Sequence, residues 1–151
     1  MNLSGEYTIP VPLERLWQAI LDPAVLNECI PGCQELRPAD TGLPDVYDAT
    51  LSIGIASVRG IYKATVRVAD QEPLVSYRLE VRGGGDKGTI SASGRLEFAP
   101  LDDKTLIRYT GDYHVAGPIA GIGQRLFQPV AHLLTNQFFH CLEKRFARDP
   151  T

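Results

Sequence analysis

Between Ile119 and Phe146 the apolar residues fall at Ile119, Ile122, Leu126, Phe127, Val130, Leu133, Leu134, Phe138, Cys141, Leu142 and Phe146. Steps of three and four draw one stripe along a long amphipathic helix. No other segment of the chain has that length and regularity. Burying each large member of the stripe contributes roughly 1.5–3 kcal/mol, so the helix needs a long apolar surface from the rest of the chain. Pro129 lies inside the pattern and predicts a kink in the turn before it.

The residues upstream can supply that surface. Leu3, Gly5, Tyr7 and Ile9 alternate with polar residues, which predicts a short strand stopped by Pro10 and Pro12. Pro12 suits a first helical turn, and Leu13, Leu16, Trp17, Ile20 and Leu21 follow at helical spacing. Asp22-Pro23 starts a second short helix, and Pro31-Gly32 fixes a bend before a brief strand from Gln34 to Arg37. After a loop from Pro38 to Pro44, strands are expected with inward residues Tyr47, Ala49, Leu51, Ile53 and Ile55, then Val58, Gly60, Tyr62, Ala64, Val66 and Val68, with a hairpin near Gly54 to Ser57 between them. Val75, Tyr77, Leu79 and Val81 form the next inward set, and Gly83-Gly84-Gly85 reads as the hairpin turn ending that strand. Gly88, Ile90, Ala92, Gly94, Leu96 and Phe98 follow, and after the turn at Pro100 to Lys104 come Ile107, Tyr109, Gly111, Tyr113 and Val115.

The order is one strand, two short helices, about six antiparallel strands and one long helix. This is an α+β domain spanning residues 1–151, whose sheet has one solvated face and buries the other under the long helix. In that packing Ile122, Leu126, Val130, Leu134 and Phe138 face the concave side of the sheet.

Composition removes several function classes. Fifteen basic residues against 18 acidic, a net charge of −3 and a pI near 5.6 leave no electrostatic footprint for nucleic acid. No apolar run approaches the roughly 18 residues of a membrane span and no secretory leader opens the sequence, so a cytoplasmic protein is the default expectation. Cys29, Cys33 and Cys141 are odd in number, which fits free thiols in a reducing compartment better than a disulfide framework. Cys29 and Cys33 lack a second pair at ligand spacing, so no metal site is expected, and no cofactor motif is present. His114, His132 and His140 fall into no recognisable array with serine and acid, and no G-x-S-x-G occurs, so no catalytic residues are assigned.

One anomaly on the inward faces points to binding. Gly60, Ala64, Gly88, Ala92, Gly94 and Gly111 stand where a packed sheet ordinarily places larger side chains. They either accommodate a bulky helix stripe or leave a cavity. Tyr47, Tyr62, Tyr77, Tyr109 and Tyr113 share those faces and bring hydroxyls into an apolar setting, which suits a large apolar ligand with a polar head. The residues expected to line such a site are Tyr47, Leu51, Tyr62, Ala64, Tyr77, Leu79, Ile90, Ala92 and Tyr109 on the strands and Leu126, Val130, Leu134 and Phe138 on the helix.

Leu3-Ser4-Gly5-Glu6-Tyr7, Trp17, Cys29-Ile30-Pro31-Gly32-Cys33, the triple glycine and Asn136-Gln137-Phe138-Phe139 resemble the CoxG family of carbon monoxide dehydrogenase subunits, part of the START-like, or SRPBCC, superfamily. The resemblance implies a helix-grip fold: a curved sheet of about seven antiparallel strands around a long C-terminal helix, with a cavity between them. It further implies a non-catalytic protein that binds a quinone or lipid and accompanies a molybdenum hydroxylase, with peripheral contact at the inner membrane face. Longer members carry an extension past the helix linked to membrane attachment, and anchoring by such a tail is not expected here. The alternatives are a module that docks on the enzyme or the membrane through exposed apolar loops and the basic end Lys144, Arg145 and Arg148, and a START-like cyclase or hydrolase with an acid and base in the pocket.

Overall fold

The computed structural model describes residues 2–39, 43, 45–54, 58–122 and 124–148. In chain order the elements are β1 (Asn2–Ile9), α1 (Leu13–Ile20), α2 (Pro23–Cys29), β2 (Cys33–Pro38), β3 (Val46–Ile53), β4 (Gly60–Glu72), β5 (Ser76–Gly85), β6 (Gly88–Leu101), β7 (Lys104–Ala116), a 3-10 turn (Pro118–Ile122) and α3 (Gln124–Arg148). The strands form one antiparallel sheet in the order β1-β7-β6-β5-β4-β3-β2. Strands β2 to β7 are therefore a simple meander, and β1 is added at the free edge of β7.

Local chemistry explains the starts and bends. The Asp22 carboxylate accepts a hydrogen bond from the Ala24 amide at 2.9 Å, with Pro23 at the first helical position, as the Asp-Pro pair predicts. Gly32 adopts φ +75°, which a glycine reaches without strain, and the Cys33 amide donates back to Ile30 at 3.0 Å. The β6–β7 connection is a two-residue turn at Asp102-Asp103 with Leu101 paired to Lys104 and Asp102 at φ 58°.

The core fills from the α1 end. Leu16, Ile20, Ile9, Ile107 and Leu142 are all at most 1% exposed and belong to one cluster with Trp17, Tyr77, Phe98 and Phe139. Trp17 meets Tyr77 and Phe98 edge-on at 6.0 and 5.5 Å, and those two rings stack at 5.7 Å. A second cluster, Val58, Tyr62, Tyr113, Ile119 and Phe127, closes the other end of the sheet. A third, around Tyr47, Ala49 and Val66, lies by β2.

Five expectations are corrected. Ile119 is buried, but in the 3-10 turn before α3 and not in the α-helix. On α3 the fully buried members are Phe127, Phe139 and Leu142, Phe138 is half-buried, and Leu133 is 45% exposed. The stripe drawn from spacing is thus rotated by about one residue in its second half.

Gly83-Gly84-Gly85 is not a turn but the end of β5, paired to β4 and β6, and the reversal falls at Asp86-Lys87. A Cβ on Gly83 would lie 2.9 Å from that of Ala64, so the close strand approach requires glycine there. Val75 is 51% exposed because it lies in the turn before β5 begins, and Ser76, on the outer face opposite Glu97, is buried. Ser76 is satisfied by the Arg95 guanidinium, which donates to its hydroxyl at 3.1 Å.

The cysteines form the fifth correction. Cys29 and Cys141 are joined in a disulfide between α2 and α3, with Cα atoms 5.3 Å apart, and Cys33 is the free thiol. A pair bridging 112 residues leaves no mark on local spacing, and one bridge plus one thiol removes the argument from odd number to compartment. Ile55 to Ser57, much of the loop before β3, and the side chains of Ile122, Leu126 and Arg148 lie outside the described residues.

Candidate functional site

The concave face of the sheet is deeply buried at one end and half-buried at its middle. Near α1 the inward residues Ile9, Tyr77, Leu96, Phe98 and Ile107 are at most 8% exposed. At mid-sheet Leu79, Val81, Ile90, Ala92, Gly94, Tyr109 and Gly111 point the same way yet are only half-buried. Opposite them on α3, Val130, Ala131, Leu134, Thr135 and Phe138 are half-buried as well. The backbone of α3 comes within 8 Å of α2, β1 and the 3-10 turn.

The flanking bonds are specific. Toward β1, the Tyr113 hydroxyl donates to Gln128 Oε1 at 2.6 Å, and Gln128 Nε2 donates to the Asn2 carbonyl at 2.8 Å. His132 Nε2 lies 3.5 Å from the same amide nitrogen. Further along, the Tyr7 hydroxyl donates to Glu143 Oε2 at 2.9 Å, and Phe139 stacks on Tyr7 and Tyr109 with ring centres 5.2 and 5.5 Å away. Toward α2, the disulfide is joined by an ion pair between Arg145 and Glu28. Gln128, His132 and Glu143 were not foreseen, because they lie off the apolar stripe. The signal available was their spacing: with Phe139 they fall on one helical face beside the apolar one.

The thirteen expected lining residues divide into groups. Ile90, Ala92 and Val130 pack with Tyr62 in the second cluster, and Leu51 bridges it to the third. Leu79, Tyr109 and Phe138 are half-buried and pack against the first cluster. Leu134 is half-buried and Ala64, beside Gly83, is 7% exposed. Tyr47 sits apart in the cluster near β2, and Tyr77 is sealed between Trp17 and Phe98. The side chain of Leu126 lies outside the described residues.

Two hollows occur elsewhere: one of about 340 Å³ among Arg15, Gln18, Asp22, Arg145 and Phe146, and one of about 280 Å³ on the outer face of β2 to β4 around Glu35, Arg37, Asp48 and Lys63. In the first, the Arg15 guanidinium lies 5.2 Å above the Phe146 ring and Arg145 is paired with Glu28, so both cations already have partners. In the second, Lys63 donates to Thr50 at 2.9 Å and Arg37 pairs with Glu35 at 3.5 Å. Among the described residues no group of three or more His, Cys, Asp or Glu is placed to hold a metal ion.

Burial pushes the phenols of Tyr62, Tyr77, Tyr109 and Tyr113 above their ordinary value, most strongly at Tyr77, so they remain neutral hydrogen-bonding groups through neutral pH. A phenol with a raised folded value stabilises the protein fully below its unfolded value of 10.0, and that stability is lost as pH rises above it. The melting temperature is therefore expected to hold up to about pH 10 and fall beyond it. Tyr77→Phe should flatten the fall, and an unchanged slope in thermal scans of that variant would assign the loss to other groups.

The fold and the family are shown by comparison. A conserved protein from Geobacillus kaustophilus is 37% identical, with a TM-score of 0.92 over 98% of this chain and 96% of that one. A START superfamily protein from Mycobacterium smegmatis matches in fold at 15% identity and a TM-score of 0.73, over 97% of both chains. The ZhuI aromatase/cyclase from Streptomyces sp. R1128 matches at 14% identity and 0.76, over 100% of this chain and 96% of its own. Among curated proteins no sequence matches this chain. The model of the CoxG family of carbon monoxide dehydrogenase subunits matches residues 5–147. With nearly the whole chain covered by that match and its START-like helix-grip fold, the protein belongs to the CoxG family.

Proposed function

We propose that this chain is a non-catalytic protein that holds an apolar ligand of the quinone or lipid class between the sheet and α3, as an accessory to a molybdenum hydroxylase of the carbon monoxide dehydrogenase type. The observation that carries the reading is the half-burial of inward residues at mid-sheet, Ala92, Gly94 and Gly111 among them, opposite half-buried Val130 and Leu134. Aliphatic and aromatic walls suit an apolar body, and the phenol of half-buried Tyr109 suits a polar head. Such a group orients a ligand by hydrogen bonds. An acid and a base converging on one point of the space would be needed for the cyclase alternative. Among the described residues no helix is long and apolar enough to cross a membrane, and in this reading any contact with a membrane is peripheral.

Two measurements test it. Native mass spectrometry after mild purification should show a quinone or lipid mass above the 16.6 kDa chain. Ala92→Leu should then abolish uptake of a quinone analogue with little change in melting temperature, because the added carbons enter space that is not packed. If Ala92 is instead in a dense core, the substitution forces strain of typically about 1–3 kcal/mol and melting falls accordingly. That drop would remove the site from this position.

A further inference from the structure

Three loops gather at the end of the sheet where α1 begins. Pro73, Leu74 and Val75 are consecutive and exposed in the β4–β5 hairpin, and so are Ala99, Pro100 and Leu101 at the tip of β6. Leu74 is 38% exposed, Val75 51% and Leu101 49%, and Leu43, just before β3, is 63% exposed. The pairing brings them side by side. The Phe98 amide donates to the Val75 carbonyl at 2.8 Å, the Val68 amide to the Asp45 carbonyl at 2.9 Å, and Gln71 Nε2 to the Asp45 carboxylate at 2.9 Å.

Leu74 is held at φ 67°, a region a leucine rarely adopts, so the hairpin presents this aliphatic side chain against its backbone preference. Single exposed aliphatics are ordinary, but several on adjacent tips with prolines between them form a patch. The patch has a rim rich in carboxylates, of which Asp70 is paired with Arg78 at 3.0 Å. Asp45, Asp70, Glu72, Asp102 and Asp103 lie in these loops, and Lys104 is the one basic residue in segments 43–46, 69–76 and 99–104.

That charge selects among occupants. An anionic membrane is repelled by the rim, and a second copy presenting the same end brings acid against acid. The basic end of α3 is less suited than the sequence suggested, since Arg145 is engaged with Glu28. We propose that this acid-rimmed aliphatic end docks on a protein surface with an aliphatic centre and a lysine- and arginine-rich border. Resting on the accessory reading above, that surface belongs to the molybdenum hydroxylase. The aliphatic tips supply the desolvated centre of the contact, and the carboxylates steer encounter and set register.

The test uses the purified carbon monoxide dehydrogenase-type holoenzyme of the same organism, immobilised, with this chain as analyte. The double variant Glu72→Lys/Asp103→Lys should slow association by about tenfold at low salt, and the difference should shrink as salt is raised. Val75→Ser/Leu101→Ser should instead speed dissociation, and Lys144→Glu should change neither. Both double variants alter exposed positions, so melting temperatures should match the parent and exclude misfolding as the cause. Binding by the parent that survives both double variants, or is lost in Lys144→Glu, overturns the assignment of this face and leaves the accessory reading standing. Absence of parent binding overturns both. Capture by phosphatidylglycerol vesicles that the Val75→Ser/Leu101→Ser variant abolishes, or self-association in sedimentation that it abolishes, identifies a different occupant and also overturns the proposal.

Discussion

Replacing Cys141 by serine is expected to lower stability by about 2–5 kcal/mol, the range found when a native bridge is removed from a small domain. For a chain of this length that corresponds to a fall in melting temperature on the order of 10 °C. The bridge closes a loop of 112 residues, which greatly restricts the unfolded ensemble, and a loop near that length is worth roughly 4.7 kcal/mol on the chain-entropy estimate. Cys29 is 2% exposed and Cys141 half-buried, so the serine also leaves an unpaired thiol against the core. Dithiothreitol should reproduce the loss in the parent and have no further effect on the variant. Thiol titration in denaturant without reductant should find one reactive group, Cys33. Three reactive groups, with melting indifferent to reductant, would show that the bridge is not made.

Phe139→Ala is expected to cost about 3–5 kcal/mol, and Phe138→Ala clearly less. Phe139 is 3% exposed and touches three rings: Tyr7, Tyr109 and Phe138, the last edge-on at 5.4 Å. Its removal leaves a cavity bounded by β1, β7 and α3 that those rings cannot collapse into without losing their own stacking. Phe138 is half-buried and has less to lose. Urea unfolding of the two variants decides the helix register. Adjacent residues lie about 100° apart around a helix, so a larger loss at Phe138 would mean that α3 is rotated by that amount from the structure described.

The same pair of residues shows how far the sequence was legible. Counting in fours from Val130 through Leu134 leads to Phe138, and nothing local distinguishes it from the phenylalanine that follows. Only the position of Tyr7 and Tyr109 on the edge strand β1 and its neighbour β7 selects Phe139. Strand alternation was readable on β1, β4, β6 and β7 because one face meets water along most of their length. It failed at Val75, which lies in the turn before β5, and at Gly83 to Gly85, where glycine serves close strand approach and not reversal.

For the candidate site, parity gave which residues point inward but not how deep they lie. Tyr77 and Tyr109 have the same parity in sequence. Trp17, from a separate element, seals the first and leaves the second half-buried. The spacing of Gln128 marks its helical face but not its partner, because the acceptor is a backbone carbonyl at Asn2 that every residue type would offer equally.

That β1 pairs with β7 and lies against α3 has a consequence for how the molecule is made. β1 leaves the ribosome before the other strands and helices described, and its hydrogen-bond partners are synthesised roughly a hundred residues later. Until then its alternating apolar face has no home, and the meander from β2 to β7 must form with one edge bare. Topologies dominated by such long-range pairing have high contact order and fold slowly. The last strand and helix thus act as a completion check on synthesis, since a chain truncated before Lys104 loses the partner of its own first strand.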